Sequence, residues 1–229
     1  MDKDQEMKKK LDELRSRLIA QKTITAPVRF PMTTEKAALY LETAVQAEVM
    51  SRGNVYKISH EQKGHILQMA TLLTRPSTQF GILLCGGVGN GKTTAMRAFQ
   101  NLLNYLRIPI AGTSETYGMR IESAKFLSSQ VKMDSREFLH IQQMDMLGID
   151  DLGEEEPEVV SYGNRVTPVI DLLSYRYDRR LFTMVTTNLT PAQIRKTYGD
   201  RIADRFNEMM LIIPFKEPSF RTPKPSTGH

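Results

Sequence analysis

Apolar side chains along this chain follow two patterns: amphipathic stretches with a helical period of about 3.6 residues, and short unbroken runs. Met7, Leu11, Leu14 and Leu18 recur at spacings of four, three and four, which places them on one face of a helix predicted over residues 4–20. Glu6 with Lys10 and Glu13 with Arg17 stand at i,i+4 on the outside of that helix. A helix this short needs a partner surface, supplied by its own domain or by another chain. "TITAPVRFPM" (23–32) is expected to be an extended linker, restricted by Pro27 and Pro31. A second helix is predicted from about Thr34 to Arg52, with Gly53 as its stop. "SHEQ" (59–62) has capping-box spacing, Ser59 with Gln62, and opens a third helix to about Leu73.

Strands and helices then alternate. "FGILLC" (80–85) is a short buried-strand run, and residues 92–106 are helical with Met96, Phe99, Leu103 and Leu106 on one face. "MRIES" suits a strand and "AKFLSSQ" a helix start. "MLGID" (146–150) is a strand ending in acid, 164–178 a helix, and "FTMVTTN" (182–188) a further strand. Residues 191–208 suit two short helices, and "MMLIIPF" (209–215) a last strand. The order predicts an α/β fold with a parallel five-stranded sheet flanked by helices. The tail "RTPKPSTGH" is expected to be disordered.

Bulk properties narrow the function classes. A chain of 229 residues holds one good-sized α/β domain plus extra helix. No apolar run approaches the ~20 residues of a membrane span, and "MDKDQEMKKKLDELRSRLIAQK" has no signal-peptide core. The expectation is a cytoplasmic protein with no membrane partner. One cysteine, Cys85, excludes an intrachain disulfide and a cysteine-built zinc site. Net charge is +5 with a pI near 9.3, a mild lean toward polyanions. Residues 1–31 carry eight Lys/Arg against five Asp/Glu, a net of +3.

The chemistry starts at "LLCGGVGNGKTTAM" (83–96). Gly86, Gly87, Val88, Gly89, Asn90 and Gly91 lead into Lys92, Thr93 and Thr94, the spacing of a phosphate-binding loop between strand and helix. Glycines let successive N–H groups curl around a β-phosphate, Lys92 can reach the β and γ oxygens, and Thr93 offers a hydroxyl to Mg²⁺. The helix that begins there presents its positive end to the same anions. ATP with Mg²⁺ is the cofactor pair this implies. "MLGIDDLGEE" supplies the acid such a loop needs: Asp150 to hold the metal shell, and Asp151 either to activate water or to cap the following turn. Glu154 is a weaker candidate base. Asn188, at the end of "VTTN", can hold the attacking water from the other side. In "YGDRIADRF", Arg201 and Arg205 either balance Asp200 and Asp204 or provide an arginine finger to a neighbouring subunit. Arg221 follows the last strand, where it contacts nucleotide or lies exposed.

"GGVGNGKTT", "LGIDDLGEE", "TTNLT", "YGDRIADRF" and "SFR" follow in an order and spacing that resembles the AAA+ ATPases of the DnaC/IstB group, over roughly residues 50–222. The group includes helicase loaders and transposition helper ATPases. The resemblance implies Walker A at Lys92 and Thr93, Walker B at Asp150 and Asp151, sensor I at Asn188, the finger at Arg205 and a sensor II-like arginine at Arg221. It implies a homo-oligomer when ATP is bound, surrounding or tracking single-stranded DNA. It also implies that the C-terminal lid domain is lacking. Most AAA+ proteins carry glutamate where Asp151 stands, so slow hydrolysis is expected. The implied domains are an N-terminal docking arm (1–31), the ATPase domain with its leading helices (32–222) and the tail (223–229). Lys125 and Phe126 are candidates for DNA contact, against the alternative that Phe126 and Leu127 are core. The function implied is loading a replicative helicase, or alternatively recruiting a transposase to DNA. A small-molecule kinase would need an acceptor pocket and an arginine-rich lid, and neither pattern is visible. A non-catalytic, ATP-switched clamp is distinguished by whether Asp151→Asn changes turnover.

Overall fold

The computed structural model describes residues 3–20, 26–133, 135–156, 158–161, 164–216 and 219. The N-terminal helix α1 (Lys3–Ala20) carries its expected apolar stripe, and Met7, Leu11, Leu14 and Leu18 are all exposed along it. Lys10 pairs with Glu6 at 3.0 Å. Of the expected linker, 23–25 lie outside the described residues; residues 26–30 belong to no helix or strand, Val28 and Phe30 are buried in the core, and the Phe30 N–H donates to the Leu73 carbonyl at 2.7 Å. Next come α2 (Thr34–Ser51), ended through Arg52 and the left-handed Gly53, and α3 (His60–Thr74). Ser59 and Gln62 form the reciprocal capping box that their spacing predicts.

The alternating part runs β1 (Gly81–Gly86), α4 (Lys92–Leu106), β2 (Arg120–Ser123), α5 (Ala124–Met133), α6 (Ser135–Gln143) and β3 (Met146–Leu152). It continues through β4 (Val159–Ser161), β5 (Asn164–Val166), α7 (Pro168–Arg179), β6 (Phe182–Thr187), α8 (Pro191–Tyr198), α9 (Asp200–Met209) and β7 (Met210–Phe215). Five strands form one parallel sheet in the order β2-β3-β6-β1-β7. Side chains of β1 alternate between its faces. Ile82 and Leu84 join a core under α2, α3 and α4. Leu83 and Cys85 join a second core under the helices from α5 to α9. A strand covered on both sides has no polar face to keep, which is why the run from 82 to 85 is unbroken.

The structure corrects one predicted boundary. The helix expected over 164–178 starts only at Pro168. Residues 164–166 form β5, which pairs antiparallel with β4. Proline favours the first helical position and pushes the residue before it toward extended geometry, so Thr167 (φ −117°, ψ 71°) marks the start. The helix α6 was not anticipated, and β3 runs two residues past the predicted Asp150. Arg221 and the tail 223–229 lie outside the described residues. No helix among the described residues is long and apolar enough to cross a membrane.

Strand order positions the site. β3, β6 and β1 are neighbours, so their C-terminal ends open on one edge of the sheet. Asp150, Asn188 and the loop after Gly86 therefore meet there, as ligand-binding residues do in open parallel sheets.

Candidate functional site

Gly86 closes β1 at φ 143°, and a Cβ there would lie 2.0 Å from the Phe215 carbonyl oxygen. Only glycine lets the chain leave the sheet so close to β7. Asn90, buried, donates through its amide to that same carbonyl at 2.8 Å and holds the loop against the strand. Gly91, at φ 95°, turns the chain into α4, whose first residue is Lys92.

Lys92 is buried, and its ammonium shares its three N–H donors among four neutral oxygens within hydrogen-bond distance. These are the carbonyls of Gly86 (2.9 Å) and Gly87 (2.6 Å) and the side-chain oxygens of Asn90 (3.1 Å) and Asn188 (3.0 Å). Burial pushes the Lys92 pKa below the ordinary lysine range, against the opposing pull of Asp151, Cys85 and Asp150. The cation has polar company but no directly bonded carboxylate among the described contacts. It is poised for an anion.

Thr93 donates its hydroxyl to Asp150 Oδ1 at 2.9 Å, joining α4 to β3. Thr186 donates to the same oxygen at 2.5 Å and accepts the N–H of Asp151 at 2.9 Å. Thr186 does both because the β3·β6 register slips. Ile149 pairs with Val185 and Leu152 with Thr187, so Asp150 and Asp151 together oppose Thr186. This bulge puts Asp151 in the left-handed region at φ 56° and re-aims an exposed side chain at the strand end.

These contacts give two hydrogen-bonded pairs, Lys92 with Asn188 and Thr93 with Asp150, set side by side as one group because Lys92 and Thr93 are consecutive at the start of α4. Asp151 stands next to Asp150 at the strand end. Thr94 follows in the first turn of α4, half-buried, and Val88 is exposed at the loop tip. Arg205 takes no part in that group among the described contacts. It lies on α9 with its guanidinium 4.8 Å from the Tyr177 ring centroid and 3.4 Å from Asp178 Oδ1, and its Nη1 is buried without a hydrogen-bond partner among the described residues. Asp200 and Asp204 are held by Arg195 of α8, at 2.5 and 2.7 Å, rather than balanced by Arg201 and Arg205. Lys125 is exposed on α5, Phe126 packs half-buried against the second core, and Leu127 is fully buried. Glu154 is exposed at the turn after β3.

Two residues here gave no sequence signal. Thr186 reads as an ordinary strand residue. Glu155 sits in the run Glu154–Glu156, yet it is buried, accepting the Gly153 N–H at 2.8 Å and the Tyr198 hydroxyl. Burial, then that bond, drives the Tyr198 pKa far up.

The donor set suits Mg²⁺. Among the described residues no cluster of three or more His, Cys, Asp or Glu could hold a metal ion. Mg²⁺ is commonly bound through one or two protein oxygens plus substrate phosphates rather than by an all-protein cage. Thr93 and Asp150 offer that arrangement beside a glycine loop.

Sheet order and loop together define a P-loop NTPase fold of AAA+ type. Among solved structures, the chain resembles the DnaC helicase loader at TM-score 0.55 and 19% identity, covering 70% of this chain and 93% of that one. It resembles DnaI at TM-score 0.52 and 19% identity, covering 76% and 93%. A DNA replication initiation factor aligns at TM-score 0.50 and 19% identity, covering 69% and 47%. No family model matches the sequence, and no curated protein matches it.

Proposed function

We propose that the chain is an ATP-binding and ATP-hydrolysing AAA+ protein that assembles on DNA and loads a replicative helicase, as a DnaC-like loader. The observation that carries nucleotide binding is the Lys92–Thr93–Asp150–Asn188 group at the mouth of a glycine loop. The fold shared with the DnaC helicase loader supports the choice of partner.

In this reading the backbone N–H groups of residues 86–91 and the Lys92 ammonium hold the β- and γ-phosphates at the start of α4. Thr93 and Asp150 would hold Mg²⁺, which would supply positive charge to offset the negative charge of the phosphates. Asn188 gives up its bond to Lys92 and orients a water molecule. Asp151 accepts that water's proton as its oxygen attacks the γ-phosphorus, while the bond to the β–γ bridging oxygen breaks. ADP and phosphate leave.

Arg205 of a second copy completes the charge at the γ-phosphate, so turnover needs an oligomer. Arg221 would contact nucleotide as a sensor II-like arginine. Residues 1–31 dock the partner, and residues 32–222 form the ATPase. Lys125 offers a phosphate contact to single-stranded DNA, whereas Phe126 contributes mainly to packing. The site of action would be the cytoplasm.

The test is co-purification with a hexameric replicative helicase, with and without ATP and Mg²⁺. Retention with ATP, lost in Lys92→Ala, supports the loader. Failure to retain the helicase with ATP overturns it, and retention of a transposase instead moves the assignment to the transposition helpers.

A further inference from the structure

The chain leaves β3 through a turn whose conformation is costly. Asp151 is left-handed at φ 56° and Gly153 stands at φ 106°. A Cβ on Gly153 would meet Leu189 Cδ1 at 2.8 Å, so the turn is pressed against the segment that follows β6. Non-glycine residues in this region persist only where the surroundings over-determine them. Thr186 holds one side of the turn through the Asp151 N–H. Glu155 holds the other: one carboxyl oxygen accepts the Gly153 N–H at 2.8 Å. The second oxygen accepts the Tyr198 hydroxyl, and both side chains are buried.

Tyr198 is the last residue of α8, and Gly199 both ends that helix and begins α9. The Ala203 N–H donates to the Gly199 carbonyl at 3.2 Å, and Arg205 stands two residues further on. A single buried carboxyl group thus ties the turn carrying Asp151 to the junction from which the Arg205 helix starts. The path is short and polar, and every link is a hydrogen bond or a covalent step.

We propose that Glu155 is a positioning residue, which with Tyr198 fixes Asp151 for its own nucleotide and sets the helix that presents Arg205 to a neighbour. This rests on the ATPase assignment above and deepens it. It gives each protomer a mechanical link between the acid it uses itself and the arginine it lends. A shift of the turn on nucleotide binding would reach α9 through Tyr198, and a shift of α9 on assembly would reach Asp151.

The variants are Tyr198→Phe, which removes one oxygen, and Glu155→Gln, which keeps the shape but loses one acceptor. The readouts are ATP affinity by calorimetry, steady-state kcat and KM in the assembled state, and amide hydrogen exchange of the full chain. Tyr198→Phe is expected to lower kcat about tenfold with ATP affinity and KM unchanged, since misplacing a reacting group costs rate rather than binding. Exchange should rise both at residues 150–154 and at residues 199–205. The double variant should be no worse than Glu155→Gln alone, because both changes cut one link. A purely structural pair would lower thermal stability and leave kcat of the folded protein at the parental value, and that result overturns the proposal. So does exchange that rises around residue 198 only. A parent that binds ATP and never hydrolyses it leaves Asp151 no step to be positioned for, and overturns it too. A parent that binds no ATP fails at the ATPase assignment itself, which separates the two failures.

Discussion

The Lys92 ammonium lies 3.0 Å from the side-chain oxygen of Asn188, joining the start of α4 to the end of β6. The amide is neutral, so it satisfies the cation without outcompeting a phosphate. Removing or charging it should therefore do different things. Asn188→Ala is expected to leave ATP affinity near the parental value and lower turnover about a hundredfold, the usual effect of losing one polar group aimed at the reacting atoms. Asn188→Asp pairs with Lys92 and faces the incoming phosphates with like charge, weakening ATP binding about tenfold or more. Calorimetry for affinity and phosphate release for turnover separate the two. Equal affinity in both variants would remove Asn188 from the site.

Thr186 should be felt through the metal. Its hydroxyl both donates to Asp150 and receives the Asp151 N–H. Thr186→Val keeps the shape and loses both bonds. Outer groups of this kind typically contribute 10–100-fold to metal affinity or activity. A Mg²⁺ titration of nucleotide-dependent assembly in Thr186→Val should be displaced to higher concentration by about that factor. A titration that overlays the parent would show that Asp150 needs no such support.

The phosphate loop was legible because its chemistry constrains neighbours in sequence. A backbone that must curl around an anion needs glycines at fixed steps, and Gly86 to Thr93 carry the pattern without help from elsewhere. The strands were legible for a similar reason: Ile82 to Cys85 are buried on both faces, so their run is unbroken. Thr186 was not, since its role depends on a register slip in β3 that puts two residues opposite one. Glu155 was hidden among Glu154 and Glu156, and only the fold shows which of the three turns inward. The polar stretch before Pro168 suits a hairpin as well as a helix, so the sequence alone does not mark where α7 begins.

Arg176 was equally hidden, in "YRYDRR", and it is fully buried. Its guanidinium donates to the carbonyls of Gln142, Met144 and Phe182 and to the Thr183 hydroxyl, binding the end of α6 to β6. Burial lowers its pKa to about 9. Arg176→Leu fills much of the volume and leaves these buried acceptors unmet. The expected loss is roughly 3 kcal/mol or more of unfolding free energy, each orphaned group costing about 1–3 kcal/mol. Urea denaturation gives the number, and a loss under about 1 kcal/mol would mean the acceptors find other donors.

Tyr56 offers a pH test. Its hydroxyl is buried and has no hydrogen-bond partner among the described residues. Burial, with Glu42 adding to it, pushes its pKa from 10.0 up to about 12. Between these values the unfolded chain releases the phenolic proton first, so the stability this group contributes is complete below pH 10 and is lost as pH rises toward 12. Tyr56→Phe removes an unmet polar group and that pH dependence together. Its melting temperature should match or exceed the parent's at neutral pH, and its advantage should widen above pH 10. A gap that stays constant with pH would show that Tyr56 is hydrated in the folded state.

Arg205 provides the sharpest test of shared active sites. Within its own protomer it rests on Tyr177 and donates to Asp178 at 3.4 Å, and its buried Nη1 has no hydrogen-bond partner among the described residues, so reaching a neighbour requires the side chain to leave this perch. If it serves a neighbour, Arg205→Ala should bind ATP normally and lose turnover by about a thousandfold, the lower end for a finger. Lys92→Ala should fail to bind ATP but still carry an intact finger. Neither variant should turn over ATP alone. Mixed in equal amounts, the head-to-tail contact joins an intact nucleotide site to an intact finger at roughly a quarter of random interfaces, and activity should return to about that fraction. Both parts of a site acting in cis would leave the mixture as dead as its components, and the oligomeric mechanism would fall with it.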